Sequence, residues 1–171
     1  PESSFSDLSA GGHAIYFKAS DDDGNEEGES GEWSWQFYKD TTPPSDPSNV
    51  ESPSHTTGEW SNDNMVEVTW VDATDLPSEC GVEGYSIAWD TSDSTLPDTT
   101  VDISVGVESA TSPELSEGGS HYVHIRSKDI AGNWQNTVHF GPFCIDMTGP
   151  AVTIDCMDTV RSVEDLCYKK R

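Results

Sequence analysis

The residues best suited to bind a ligand lie in one acidic stretch, DDDGNEEGESGE at 21–32. Its oxygen-bearing side chains match positions 1, 3, 5, 7, 9 and 12 of a calcium-loop template: Asp21, Asp23, Asn25, Glu27, Glu29 and Glu32. Oxygen ligands in this number suit a hard divalent cation. The spacing therefore predicts a calcium site built from the first four of these residues and Glu32. Glu26 stands where the template needs glycine, and the competing interpretation is an acidic, solvated hairpin loop.

Two smaller groups of side chains could also bind a cation. The segments WVDATD at 70–75 and DIAGN at 129–133 are expected near one end of a domain, where Asp72, Asp75 and Asp129 would converge on a cation. The same aspartates would also suit Asx-turns, in which a carboxylate accepts from its own backbone. His124 and His139 are expected to face each other across paired strands as an exposed pair, which supplies only part of a zinc site.

Aromatic residues suggest a sugar-binding alternative, whereas no catalytic motif is present. Trp60, Trp134 and Trp35 are expected at loop edges, where a flat ring could stack on a sugar if it is exposed. The sequence contains no G-x-S-x-G, H-E-x-x-H, P-loop or G-x-G-x-x-G motif. We therefore expect a protein that is not an enzyme.

Alternating apolar residues predict the strands that must position these groups. The segments with this period-two pattern are MVEVTWV at 65–71, GYSIAWD at 84–90, TTVDISVGV at 99–107, HYVHIRSKD at 121–129 and TVHFGPFCI at 137–145. With shorter segments at 48–53 and 110–115, they predict about seven strands. The inward side chains should form one core: Trp70, Tyr85, Ile87, Trp89, Val123 and Ile125.

An internal repeat sets the expected domain organisation. SAGGHAIYFKASDDDGN at 9–25 matches SEGGSHYVHIRSKDIAGN at 116–133, and DTTPP at 40–44 matches DMTGP at 146–150. The period of about a hundred residues is the length of an all-β sandwich domain. We expect 1–40 to be the C-terminal strands of one module, 41–147 a complete module, and 148–171 the start of a third or a disordered tail. The array would then be truncated at both ends.

The complete unit resembles the fibronectin type III module of the immunoglobulin-like β-sandwich. The resemblance rests on V-x-V-x-W at 66–70, G-Y-S-I-x-W at 84–89, and a leucine, a glycine-rich turn and an alternating strand at 115–129. His121 occupies the position of the family's corner tyrosine. EWSNDN, GYSIAWD, KDIAGNW and HFGPFCID look like modules repeated in large secreted bacterial proteins. The resemblance implies a seven-stranded antiparallel β-sandwich in a tandem array, and an extracellular location.

The charge of the chain excludes some classes of partner, and the cysteine content limits the possible disulfides. The chain has 32 acidic and 8 basic side chains, a net charge of −24, which would repel nucleic acid and anionic membranes. No apolar run is long enough to insert in a membrane. Four cysteines permit three pairings, among which Cys156–Cys167 is the local one.

We therefore expect a non-catalytic extracellular spacer or adhesion module of a large secreted or surface protein. Its partners would be neighbouring modules of the same chain, and a cell-surface protein or polysaccharide. Two alternatives remain open. One is a calcium-rigidified adhesion module; apart from this calcium, we expect no cofactor. The other is a carbohydrate-binding accessory module of a secreted hydrolase. Thermal melts with calcium and chelator, and the exposure of the tryptophans, separate these alternatives.

Overall fold

The computed structural model describes residues 7–17, 19–24, 26–27, 34–76 and 80–152, and these residues make the chain all-β, as predicted. The strands are β1 (Gly11–Tyr16), β2 (Ala19–Ser20), β3 (Glu26–Glu27), β4 (Ser34–Lys39), β5 (Ser48–Glu51), β6 (Trp60–Ser61), β7 (Glu67–Val71), β8 (Val82–Asp90), β9 (Ile103–Ser104), β10 (Ser109–Thr111), β11 (Gly118–Asp129) and β12 (Val138–Ile145). Within those ranges, we find no helix with the length and apolarity to cross a bilayer.

Two sheets build the unit from β5 to β12. One has three strands in the order β10–β7–β5, all antiparallel. The other has five strands in the order β6–β12–β11–β8–β9; its neighbours are antiparallel except β6, which runs parallel to β12. Several neighbours are distant in sequence, such as β6 and β12 or β8 and β11, and most contacts among the described residues are long-range.

Alternate residues of both sheets meet in one apolar core. Val66, Val68 and Trp70 are at most 3% exposed, and Trp70 packs edge-on against Tyr85 of the other sheet with ring centroids 5.5 Å apart. The other predicted core residues divide between fully buried and partly buried: Val123 and Ile125 in the first group, Ile87 and Trp89 in the second. Burial of this kind drives folding, and truncating one such tryptophan to alanine costs about 3–5 kcal/mol.

One predicted strand is much shorter than expected. The alternation at 99–107 predicted a continuous strand, but only Ile103–Ser104 pairs, against Gly84 and Tyr85. Val105 is 45% exposed, and the chain turns at Gly106, whose φ of +85° is a conformation that favours glycine. The amide of Gly106 donates to Asp72, which fixes the turn and ends the strand.

The N-terminal strands β1 and β4 form a hairpin that resembles the hairpin of β11 and β12. His13 lies opposite Phe37 in the first hairpin, and His121 lies opposite Phe143 in the second. Each histidine uses Nε2 to donate to a backbone carbonyl a few residues earlier: Ser9 at 2.7 Å and Ser116 at 2.8 Å. The two histidines therefore make the same contact at the start of the two hairpins.

The segment that joins β4 to β5 is hydrogen-bonded to the β5–β12 unit through its own carbonyl groups. Gln135 donates to the carbonyl of Pro44 at 2.8 Å, and Ser127 donates to that of Ser45 at 2.7 Å. The amide of Ser45 donates in turn to the carbonyl of Thr74 at 2.8 Å. Pro44 is buried, so this segment packs on the unit as well as bonding to it.

Candidate functional site

Four polar side chains converge where the β4–β5 segment meets the loops of the larger unit. They are Asp40, Asp75, Cys80 and Asp129, and one potential ligand atom of each lies within 4.8 Å of all the others. Asp40 follows β4, Asp75 and Cys80 belong to the loop before β8, and Asp129 ends β11. Three chain segments that are distant in sequence therefore contribute to this joint cluster.

Hydrogen bonds from peptide groups hold the carboxylates of the joint cluster. Asp129 is fully buried, and its Oδ1 accepts from the amides of Gly132 and Asn133, both at 2.7 Å. The Oδ2 atom accepts from the side chain of Asn133, also at 2.7 Å. Asp75 accepts from the amide of Gly81 at 2.9 Å. Buried carboxylates are stable only with such partners, so Asp129 organises the turn that follows β11.

The thiol of Cys80 connects the loop before β8 to the β4–β5 segment. Its Sγ donates to Asp40 at 3.1 Å and accepts from the amide of Ala131 at 3.0 Å. The amide of Thr42, followed by the Cys80 thiol, holds the pKa of Asp40 below its usual value. Desolvation, followed by the contact with Asp40, raises the pKa of the Cys80 thiol. The thiol therefore remains protonated and acts as a hydrogen-bond donor, the opposite of the thiolate that a metal or a nucleophilic reaction needs.

A cleft of about 890 Å³ adjoins the joint cluster. Gly11, Gly12 and Tyr38 of the β1–β4 hairpin line it, together with Ile130 and Ala131 from the turn after β11. Asp40 and Cys80 of the joint cluster also line it. The cleft therefore separates the hairpin from the larger unit at the point where the two are covalently joined.

The prediction that three aspartates converge is correct for two of them. Asp75 and Asp129 meet in the joint cluster, but Asp72 is not part of it. Asp72 instead accepts from the hydroxyl of Tyr85 at 2.8 Å and from the amide of Gly106 at 2.9 Å. Sequence reasoning missed Asp40 and Cys80. The repeated DTTPP segment was the available signal, because it places Asp40 at a joint.

The predicted calcium loop lies mostly outside the residues that the structure describes. Asn25, Glu29 and Glu32 fall outside them, and for Glu27 only the backbone is described, in β3. Asp21 accepts from the amide of Asp23 at 3.1 Å, and its carbonyl accepts from Gly24 at 3.1 Å, which forms a turn between β2 and β3. The calcium site therefore stays a prediction. The same holds for the bridge Cys156–Cys167 and for the start of a third module, most of whose residues lie beyond 152.

The histidine pair forms as predicted, but it is not an exposed pair. His124 and His139 lie directly opposite each other on β11 and β12, with their Nδ1 atoms 2.6 Å apart. His139 is exposed, whereas His124 is fully buried, so the expectation of two exposed rings is wrong. The outer face of β11 is covered because side chains of neighbouring strands lie over it, and Arg126 on the same face is only 7% exposed.

The three tryptophans expected at loop edges differ in exposure. Trp35 is 75% exposed and Trp60 is 64% exposed. Trp134 is half-buried, and the guanidinium of Arg126 lies 4.4 Å from its ring centroid. Arg126 therefore occupies one face of the Trp134 ring through a cation–π contact.

Cys80 and Cys144 are free thiols.

Comparisons of the chain with family models, curated proteins and solved structures returned no match.

Proposed function

We propose that the chain is part of a tandem array of fibronectin type III-like β-sandwich modules that serves as a non-catalytic extracellular spacer or adhesion module. The strand order supports the module type. In an immunoglobulin-like sandwich the second strand lies between the first and fifth, and the third lies beside the sixth. Here β7 lies between β5 and β10, and β8 lies beside β11. Short extra pairings of β6 and β9 extend the larger sheet.

The likeness of the two hairpins supports the array. Each contains a histidine that donates to an upstream serine carbonyl and lies opposite a phenylalanine. In the larger unit, the first strand of the hairpin also pairs with β8 and covers the core. By analogy, β1 and β4 are the last strands of a module related to the one at 41–147.

The observation that carries the spacer function is the hydrogen-bonded joint between hairpin and unit. Carbonyls of Pro44 and Ser45 accept from Gln135 and Ser127, and the carboxylate of Asp40 accepts from Cys80. A joint fixed at several points resists bending, so successive modules would keep a set orientation and a set spacing. A spacer needs this property, whereas flexibly linked domains move independently.

Heteronuclear NMR relaxation and residual dipolar couplings test this function. We expect the amides of β1 and β4 to report the same alignment tensor and rotational correlation time as those of β8 and β11. Gln135→Ala removes the donor to Pro44 and should partly uncouple the hairpin. Asn136→Ala is the matched control, because Asn136 is exposed. Independent tumbling of the hairpin in the wild-type chain would refute a spacer that works through a rigid joint.

The location outside the cell is tested separately. Protease treatment of intact cells that express the natural protein should destroy an epitope in 41–147 without lysis. Protection of that epitope in intact cells, with loss only after lysis, would contradict an extracellular function whatever the stiffness of the joint.

The two alternatives remain predictions with their own tests. A calcium-rigidified module requires that calcium raise the melting temperature and that a chelator lower it again, because only binding to the native state stabilises it. For the carbohydrate-binding module, Trp35 and Trp60 have the exposure that sugar stacking needs. Polysaccharide binding that survives substitution of both would exclude these two rings as the platform.

A further inference from the structure

The buried His124 ring is held from both sides on the outer face of the five-stranded sheet. Its Nε2 lies 3.1 Å from Oδ1 of Asp90 at the end of β8, and its Nδ1 lies 2.6 Å from Nδ1 of His139 on β12. Tyr122 stacks near the ring with a centroid distance of 6.4 Å.

These contacts determine the tautomer of His124. A carboxylate only accepts hydrogen bonds, so Nε2 of His124 must carry a proton. In the neutral ring Nδ1 then has a free lone pair, and this lone pair is aimed at Nδ1 of His139. Metal-binding histidines have the same arrangement: one nitrogen donates to a carboxylate and the other binds the ion.

The other three histidines have different hydrogen-bond partners. In each, Nε2 donates to a backbone carbonyl: His13 to Ser9, His121 to Ser116, and His55 to Asp63 at 2.9 Å. Carbonyl partners fix these rings as parts of turns and corners. The pair on β11 and β12 differs from them because two imidazole nitrogens point at each other beside a carboxylate.

We propose that His124 and His139 form a binding site for a late first-row divalent transition metal, with Asp90 as the residue that positions His124. On binding, the proton shared by the two Nδ1 atoms would move through water to Nε2 of His139, which leaves the lone pairs of both Nδ1 atoms for the ion. Water would complete the coordination, because His139 is exposed.

The distance between the two nitrogens requires only a small adjustment. Metal–nitrogen bonds of about 2.0–2.1 Å at right-angled or tetrahedral geometry place two ligand nitrogens about 2.8–3.4 Å apart. The present separation of 2.6 Å must therefore increase by a few tenths of an ångström or somewhat more. The exposed ring of His139 can rotate outward by this amount, while Asp90 holds His124 in place.

The surroundings favour a transition metal over calcium. Imidazole nitrogen suits nickel, copper and zinc, and in the Irving–Williams order nickel and copper bind most tightly. Asp90 on β8 contacts His124, whereas Arg126, two residues further along β11, contacts the carbonyl of Asp98 and the ring of Trp134. The net charge of −24 also raises the local concentration of cations.

Calorimetric titration of the full chain with nickel tests the proposal, with a large excess of calcium present to saturate carboxylates. We expect one calcium-resistant site, which His139→Ala removes and His13→Ala leaves intact. Asp90→Asn should weaken the affinity about 10- to 100-fold, as the loss of an outer partner does at other metal sites. In NMR spectra, paramagnetic broadening by nickel should be centred on Tyr122, Ala88 and His139.

The joint cluster, which contains Cys80, is the competing site for nickel. If Cys80→Ser removes the nickel site and His139→Ala does not, the ion binds at the joint cluster and the proposal is wrong. Equal nickel affinity in the wild-type chain and in His139→Ala would also overturn it. His139 is exposed, so we expect His139→Ala to keep the fold of the wild type. An unchanged NMR spectrum of the rest of the protein would show that loss of nickel binding does not come from unfolding.

Discussion

The hydroxyl of Tyr85 joins β8 to the loop after β7, and its removal should cost about 3 kcal/mol. Tyr85 is fully buried; its hydroxyl donates to Asp72 at 2.8 Å and accepts from the amide of Ala73 at 2.7 Å. Tyr85→Phe preserves the ring and its packing against Trp70. It removes the hydrogen bonds to Asp72 and Ala73.

The two lost bonds have different costs. A hydrogen bond to a charged group contributes about 1.5–3 kcal/mol, but Asp72 is only half-buried, so water replaces part of this contribution. Ala73 is 5% exposed, and an amide left there without a partner costs about 1–3 kcal/mol. We therefore expect Tyr85→Phe to lower the free energy of unfolding by about 3 kcal/mol, and the melting temperature by about 10 °C.

Urea unfolding followed by tryptophan fluorescence measures this difference, with Tyr38→Phe as the control. Tyr38 is 73% exposed, and the loss of its hydroxyl should change stability by less than about 0.5 kcal/mol. A Tyr85→Phe value within that limit would refute the argument that the hydroxyl holds the loop after β7 against β8.

The pH dependence of the same difference provides a second check. Burial, and then the bond to Asp72, raises the pKa of Tyr85 to about 12, against about 10 for an unfolded chain. The folded state therefore holds this proton more tightly than the unfolded state. The stabilisation is complete below pH 10 and is lost as the pH rises toward 12. The gap between wild type and Tyr85→Phe should narrow across that window, and a constant gap would contradict the assignment.

Two further substitutions test the packing of the sheets and of the turn after β11. Gly84→Ala places a Cβ 2.3 Å from the carbonyl oxygen of Ile103 and should cost about 1–3 kcal/mol in urea unfolding, whereas Gly149→Ala, with open space around it, should be neutral. Asp129→Ala removes three hydrogen bonds and should cost about 3 kcal/mol by the same assay. Asp21→Ala, the repeat-related change at an exposed residue, should cost less than about 1 kcal/mol; equal losses at both positions would contradict the dependence on burial.

The apolar alternation predicted the core because it reflects burial on one face of a strand. Val66, Val68 and Trp70 follow this pattern, and so do Val123 and Ile125. The alternation could not reveal how far the other face would be covered. His124 and Arg126 are polar and lie on the outer face, yet both are buried, since their cover comes from His139 and Trp134. Those partners are too distant in sequence for a local pattern to include them.

The joint cluster could be predicted only in part, because its residues come from segments that are distant in sequence. Asp75 and Asp129 could be placed together because each follows a predicted strand at the same end of the unit. Asp72 stands next to that end as well, but it bonds to a tyrosine on β8 and a glycine turn. Nothing in the local sequence separates the two outcomes, because the choice depends on which side of the loop each carboxylate faces.

The anchoring of the β4–β5 segment through carbonyl groups has an evolutionary consequence. Any residue type offers the same carbonyl, so the exposed side chains of Thr41 and Pro43 are free to drift while the path of the segment is preserved. These are the two positions at which DTTPP and DMTGP differ. Selection would act instead on the donors, Ser127, Asn133 and Gln135. Among relatives of this chain, those three positions should be conserved more strongly than the connecting peptide that they hold.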